Sequence, residues 1–155
     1  MSEEKKFIIL VAEDDDDDYQ FALDIFREIK LEKDFYRVYN GEELMDYLRH
    51  KGKYAGGQNA PTPNLLFIDI TMPKKSGAEA IHEIKADPKL ANIPIFVFTT
   101  AEDPEEVKQD YNLPLDEDFI IHKPESFESF KKVFVKIKYY LLEIAEKANV
   151  AKENT

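Results

Sequence analysis

The stretch "FIILVAEDDDDD", residues 7–18, decides the fold of this chain. Its six apolar residues, rich in branched side chains, predict a short strand buried on both faces, as in a parallel sheet. Glu13 and five aspartates follow directly. Carboxylates accept hydrogen bonds from the free N–H groups that begin a helix, so this run marks a strand-to-helix junction. The run also raises the question of why one strand should end on so many negative charges.

Strands and helices alternate along the rest of the chain. Further strands are predicted at residues 35–39, 65–68, 93–98 and 119–121. The first helix begins at the aspartate run and ends near Leu31, and the second begins at Asn40 and runs through Arg49, with Gly52 as its stop. The other three begin near Ser76, at Pro104 and near Ser126. The last helix follows an apolar stripe to about residue 148. Five strands alternating with five helices require crossover connections, so we predict a doubly wound α/β domain with a parallel sheet.

Composition limits the classes of function. The chain has 155 residues, 43% of them hydrophobic, which is enough for one domain with its own core. We expect this domain to span residues 7–148, between tails at residues 1–6 and 149–155. A net charge of -11 disfavours nucleic acid and anionic membranes as partners. Without cysteine, a signal peptide or an apolar run of membrane-spanning length, the sequence predicts a cytoplasmic protein.

The polar residues at the strand ends predict a binding site. Ligands of open parallel sheets bind beyond the carboxyl ends of the strands, and neighbouring strands lie about 4.8 Å apart. The residues delivered there are Glu13, Asp14, Asp69, Thr99, Thr100 and Lys123. Converging carboxylates call for a hard cation, and an all-oxygen site suits Mg²⁺. A phosphoryl group could bridge the metal, the ammonium and a hydroxyl while a carboxylate oxygen attacks the phosphorus.

Four segments resemble the motifs of the response-regulator receiver domain of two-component signalling. They are "ILVAEDD" (9–15), "LLFIDITMPKKSG" (65–77), "IPIFVFTTAED" (93–103) and "FIIHKPESF" (119–127). The resemblance covers about residues 7–145. It is strongest to stand-alone regulators found beside phytochrome-like kinases, which share the loop after "YLR" and the "PKKSG" turn. It implies the flavodoxin-like, or CheY-like, fold with strand order 2-1-3-4-5.

The resemblance also assigns roles to the phosphoryl-handling residues. Asp69 would be the phosphoacceptor, taking the group from a phosphohistidine of a sensor histidine kinase or phosphotransfer protein. The pattern D-x-x-M-P-x-x-x-G that begins at Asp69 strengthens this assignment. Lys123 would pair with the acyl phosphate, and in the family its bond to the following proline is commonly cis. Thr99 would hydrogen-bond the phosphoryl group as the switch, and Thr71 and Ala101 occupy positions that tune hydrolysis.

The metal ligands follow from the same resemblance. Glu13, Asp14 and Asp69 would hold Mg²⁺, with Glu13 acting partly through water, and Thr71 would add its backbone carbonyl. The remaining aspartates, residues 15–18, are interpreted as helix caps and solvated charge. A calcium loop starting at Asp14 is excluded because its sixth and twelfth positions hold Tyr19 and Ile25 instead of glycine and glutamate.

Three other functions fit the sequence less well. A degenerate receiver would bind partners without phosphorylation, but the full set of motif residues counts against it. A phosphatase of the haloacid-dehalogenase type needs a second aspartate two residues after the nucleophile, where Thr71 stands. A flavodoxin-like cofactor binder needs a phosphate-binding loop after the first strand, where the aspartates stand.

The output is expected to be a protein contact, not an enzymatic reaction. In the family the usual output surface is formed by helix four, strand five and helix five. Ile120 replaces the aromatic residue that many members carry three positions before the lysine, with Phe119 on the opposite face of the strand. The long last helix leads to the hypothesis that its distal part belongs to a homodimer or partner surface.

Overall fold

A five-stranded parallel sheet organises the molecule. The computed structural model describes residues 6–101 and 103–148. The strands are β1 (Phe7–Ala12), β2 (Lys33–Val38), β3 (Leu65–Asp69), β4 (Ile95–Thr99) and β5 (Ile120–His122). Their order is β2-β1-β3-β4-β5, and every neighbouring pair is parallel. The predicted doubly wound α/β fold is confirmed.

The described residues also form the five predicted helices. These are α1 (Asp16–Arg27), α2 (Gly41–Arg49), α3 (Gly77–Ala86), α4 (Pro104–Asp110) and α5 (Phe127–Lys147). The caps that the sequence indicated lie directly before their helices. The side chains of Asn40, Ser76 and Ser126 each accept a hydrogen bond from the backbone N–H three residues later. Within the described ranges, no helix is both long and apolar enough to cross a membrane.

Some element boundaries differ from the sequence prediction. Strand β2 begins at Lys33, two residues before its predicted start, because it pairs with the whole of β1 from Phe7 onward. Helix α1 ends at Arg27, before the predicted Leu31. Helix α2 ends at Arg49 as predicted, but the residue that stops it is His50, which is left-handed with φ 54°, and not Gly52. Phe119 lies in a 3₁₀ turn that precedes β5, and not in the strand.

The two faces of the sheet bury different helices. One face of β1, β3 and β4 packs against α2, α3 and α4, through residues such as Leu10, Leu66 and Val97. The alternate residues pack against α1 and α5, where Ile137 and Leu141 are fully buried. This two-sided burial explains the nearly continuous apolar strands. It also places the carboxyl ends of β1, β3, β4 and β5 along one edge of the sheet.

Candidate functional site

Three carboxylates meet at this edge of the sheet. Ala12 pairs with Ile68 in the parallel register, so the next residues, Glu13 and Asp69, leave neighbouring strands side by side. Glu13, Asp14 and Asp69 each offer a carboxylate oxygen, and these oxygens lie within 4.8 Å of one another. Glu13 is 3% exposed and Asp69 8%, whereas Asp14 is exposed. We call these three residues the carboxylate site.

The carboxylate site is electrostatically strained without a cation. Burial raises the pKa of Glu13 to about 8, and the hydrogen bond and negative charge of Asp69 add to this effect. Burial also raises the pKa of Asp69, although hydrogen bonds from Glu13 and Thr71 and the charge of Lys123 oppose the rise. Both shifts favour a proton on this pair of buried carboxyl groups. Three oxygen donors at this spacing fit a hard divalent cation such as Mg²⁺, which would take the place of that proton.

The turn after β3 fixes Asp69 from two directions. The Thr71 backbone N–H donates to Asp69 Oδ1 at 3.1 Å. A Cβ atom at Gly77 would lie only 2.1 Å from the Asp69 carbonyl oxygen. Only glycine allows this approach, which gives a physical reason for the glycine that ends the D-x-x-M-P-x-x-x-G pattern. Thr71 itself is exposed, and the proposed use of its carbonyl as a metal ligand stays a prediction.

Thr99 and Lys123 lie on the two strands beyond Asp69. Thr99 is 2% exposed, and its Oγ1 accepts a hydrogen bond from the Ala101 N–H at 3.1 Å. Its backbone carbonyl accepts from the Lys123 N–H at 2.7 Å, which ties the ends of β4 and β5 together. The bond between Lys123 and Pro124 is trans, in contrast to the cis bond common in the family.

The Lys123 ammonium faces carboxylates from two elements. Its Nζ lies 2.5 Å from Asp18 Oδ2 on α1 and 3.5 Å from Glu13 Oε1. Within the described ranges, no ion pair of 4.0 Å or less joins it to Asp69. Burial lowers the pKa of Lys123, but the Asp18 hydrogen bond and the charges of Glu13, Asp69 and Asp18 outweigh burial and raise it. The side chain therefore stays cationic beside the carboxylate site.

The aspartates of residues 15–18 make different contacts. Asp15 caps α1 as predicted, because its Oδ1 accepts from the Asp18 N–H at 2.9 Å. Neither Asp16 nor Asp18 belongs to the group of carboxylates that could hold a metal, but both form ion pairs that the sequence did not predict. Asp16 pairs with Arg37, and Asp18 pairs with Lys123. Nothing local in the sequence distinguishes Asp18 from its neighbours, since its partner is 105 residues away.

Arg37 on β2 braces the loop between β1 and α1. Its guanidinium lies between the rings of Tyr19 and Tyr39, 4.2 Å from each centroid. Its Nε donates to the Glu13 carbonyl at 3.0 Å, and its Nη1 lies 2.9 Å from Asp16 Oδ1. We call this group of five residues the arginine clamp. Sequence reasoning missed it, although an arginine between aromatic residues in the strand "FYRVY" was a usable signal.

Ile120, which stands where many family members carry an aromatic residue, lies in an apolar environment. Ile120 is 2% exposed and belongs to the core on the α2, α3 and α4 face. Phe119 packs on the opposite face, with its ring 5.5 Å from that of Phe96 and 5.1 Å from that of Tyr140. The predicted separation of these two side chains onto opposite faces is confirmed.

Comparison with protein families and individual proteins agrees with this arrangement. The model of the response regulator receiver domain matches residues 9–134. Response regulator Rcp1 of Synechocystis sp. is 31% identical over 96 residues, which cover 62% of this chain and 63% of Rcp1. The match therefore spans a little under two thirds of that relative's length.

Solved structures extend the similarity over most of the chain. The Mn²⁺-bound form of Rcp1 superposes with a TM-score of 0.72 at 27% identity, covering 90% of this chain and 96% of Rcp1. The phosphorylated cyanobacterial phytochrome response regulator RcpA gives a TM-score of 0.71 at 26% identity, covering 94% of this chain and 99% of RcpA. One of these neighbours thus carries a divalent metal and the other a phosphoryl group.

Proposed function

This chain belongs to the response-regulator receiver family, and from that membership we propose that it accepts a phosphoryl group on Asp69 and thereby switches its protein contacts. Receiver domains are signalling domains and not conventional enzymes. The observation that carries the proposal is the carboxylate site, where Glu13, Asp14 and Asp69 offer oxygens within 4.8 Å of one another beside the Lys123 ammonium.

Phosphoryl transfer at this site is a displacement at phosphorus. A carboxylate oxygen of Asp69 forms the new P–O bond while the P–N bond of the donor phosphohistidine breaks and its electron pair returns to the imidazole. Lys123, cationic and mostly buried, attracts the phosphoryl oxygens, so the protein contributes positioning and charge. The Thr99 hydroxyl is the proposed switch and would exchange its contact with the Ala101 N–H for the phosphoryl group.

The metal requirement is part of the same proposal. Glu13, Asp14, Asp69 and the Thr71 carbonyl would hold Mg²⁺, and the ion would supply positive charge to the phosphoryl oxygens. The raised pKa of Glu13 supports this assignment, because burial and the neighbouring Asp69 disfavour its charged form, and a divalent cation would offset both effects. The Mn²⁺-bound Rcp1 neighbour supports it independently.

The proposed partners are proteins. A sensor histidine kinase or phosphotransfer protein would donate the group, and a downstream protein would read the surface of α4, β5 and α5. Helix α5 exposes Val135 (64%), Tyr139 (68%) and Leu142 (36%) at spacings of four and three, so they share one face. This apolar face supports the proposed partner or homodimer surface. The domain limits 7–148 and the cytoplasmic location stay predictions, and residues 1–5 and 149–155 lie outside the described chain.

Intact mass after incubation with Mg²⁺ and acetyl phosphate tests the proposal. We expect a gain of one phosphoryl group that is absent in Asp69→Asn and in the presence of a chelator. The matched control is Asp17→Asn, which removes an exposed carboxylate near the site and should leave the gain intact. No gain in the wild-type protein would favour a phosphorylation-independent binding module. Continuous release of phosphate would instead indicate a phosphatase.

A further inference from the structure

The contact between Asp18 and Lys123 has no place in the mechanism above. Asp18 lies on the first turn of α1, and Lys123 follows β5, so the contact joins two elements that flank the carboxylate site. Its length of 2.5 Å is 1.0 Å shorter than the distance of 3.5 Å from Lys123 Nζ to Glu13 Oε1. Asp18 is therefore the main partner of this ammonium in the unphosphorylated protein.

The two carboxylates that face Lys123 differ in their access to water. The Glu13 side chain is 3% exposed, so water could not solvate its charge if the contact with the Lys123 ammonium were lost. The Asp18 side chain is 37% exposed at the surface of α1. Rotation into water costs a partly exposed carboxylate little, whereas a buried charge needs a partner. Asp18 is thus the exchangeable partner of Lys123, and Glu13 the fixed one.

A phosphoryl group on Asp69 would add a third anion around this one ammonium. A lysine has three N–H donors but a single positive charge, and each additional anion weakens the hold of the others. A phosphoryl group is a stronger acceptor than a carboxylate, and it would repel the Asp18 charge. The contact that gives way is the one with access to water.

We propose that Asp18 is a positioning residue that holds Lys123 while the site is unphosphorylated and gives it up when a phosphoryl group arrives. This inference rests on the proposed function, in which Asp69 is the acceptor and Lys123 its cationic partner. Asp18 then acts as a built-in competitor of the phosphoryl group. It keeps the lysine ordered at the site, and it lowers the affinity of the site for tetrahedral anions.

Beryllofluoride, a non-covalent stand-in for the phosphoryl group, tests this role. We expect Asp18→Asn to bind beryllofluoride in the presence of Mg²⁺ about tenfold more tightly than the wild-type protein, because a charged hydrogen bond no longer competes for Lys123. Asp17→Asn is the matched control, since it removes the same charge from the neighbouring, exposed residue. Asp18→Glu keeps the carboxylate and should restore an affinity near that of the wild type.

The possible outcomes separate the two proposals. If Asp18→Asn binds no more tightly than Asp17→Asn, the effect is one of general charge and the role of Asp18 is overturned. Weaker binding in Asp18→Asn would overturn it too, because Asp18 would then aim the lysine at the anion instead of competing for it. Asp18→Ser gives the same comparison if the asparagine variant does not fold. If neither the wild type nor Asp17→Asn binds beryllofluoride or gains a phosphoryl group, the proposed function itself fails, and this inference with it.

Discussion

The carboxylate site and the arginine clamp hold buried charge in opposite ways on the two sides of one loop. In the clamp, the Arg37 side chain is 13% exposed, and its cation faces two aromatic rings, a carboxylate and a carbonyl. In the site, Glu13 is 3% exposed and faces a second buried carboxylate, Asp69. The clamp surrounds its cation with groups that attract it, whereas the site places like charges together. The arginine clamp therefore holds the loop between β1 and α1 in place on one side. On the other side, the like charges of the carboxylate site stay close together, where a cation could bind.

The largest effect that separates the two regions should be the pH dependence of stability. The pKa of Glu13 is about 8 in the folded, metal-free protein and near 4.5 when unperturbed. Between these values the folded state binds more protons than the unfolded state, so stability falls as pH rises, by up to about 1.4 kcal/mol for each pH unit. The raised pKa of Asp69 acts in the same direction. Urea unfolding between pH 5 and 8, with a chelator, measures this decline.

Two variations of that measurement identify its source. Saturating Mg²⁺ should remove most of the decline, because the metal favours the deprotonated carboxylates and stabilises the folded state by mass action. Glu13→Gln should flatten the metal-free profile, since its side chain cannot take up a proton. A metal-free wild-type protein that becomes more stable from pH 5 to 8 would show that the carboxyl groups of Glu13 and Asp69 are not in conflict.

The difference between the two regions also marks how far the sequence could predict the structure. Features that depend on neighbouring residues were predicted well, including the caps Asn40, Ser76 and Ser126. The apolar strands predicted the sheet, because burial on both faces leaves a continuous run of apolar residues. One boundary that failed depends on a distant partner. Strand β2 is longer at its start because the register with β1 carries it to Lys33.

The candidate site shows the same division. The topology of a parallel sheet was enough to predict that Glu13, Asp14 and Asp69 would meet, since all three lie at the carboxyl ends of strands. The partners of Asp16 and Asp18 could not be predicted, because five identical aspartates look alike until α1 is placed against β2 and β5. The rotation of the first turn of α1 about the helix axis then determines which carboxylate faces which cation. Sequence patterns carry the direction of a strand, but not the rotation of a helix against distant elements.

The second-largest effect on stability should come from removing the cation of the arginine clamp. Arg37→Met keeps an unbranched side chain between Tyr19 and Tyr39 but removes the cation and the hydrogen bond to the Glu13 carbonyl. We expect a loss of about 2 kcal/mol in the free energy of unfolding. The loss stays near this value because Nη2 is buried without a hydrogen-bond partner in the described part of the chain, which already reduces what the arginine contributes.

Unlike the effect of Glu13, the loss in Arg37→Met should be the same at pH 5 and pH 8, because arginine stays charged throughout. Arg27→Met is the matched control, since it makes the same chemical change at an exposed residue near the end of α1 and should change stability by less than about 0.5 kcal/mol. Equal losses in the two variants would mean that Arg37 does not brace the loop.

Among the changes to the two regions, the smallest effect should be that of Asp16→Asn, although Asp16 lies only 2.9 Å from the Arg37 guanidinium. The Asp16 side chain is 87% exposed, so water screens its charge and replaces its hydrogen bonds when the pair is lost. We expect less than about 1 kcal/mol by urea unfolding, falling further in high salt. A loss as large as that of Arg37→Met would place the strength of the clamp in the ion pair. A small loss would place it in the two tyrosine rings and the Glu13 carbonyl, which hold the mostly buried guanidinium. Because tyrosine rings and carbonyls do not titrate between pH 5 and 8, a clamp of that kind would keep the loop in place while the charges of the carboxylate site change.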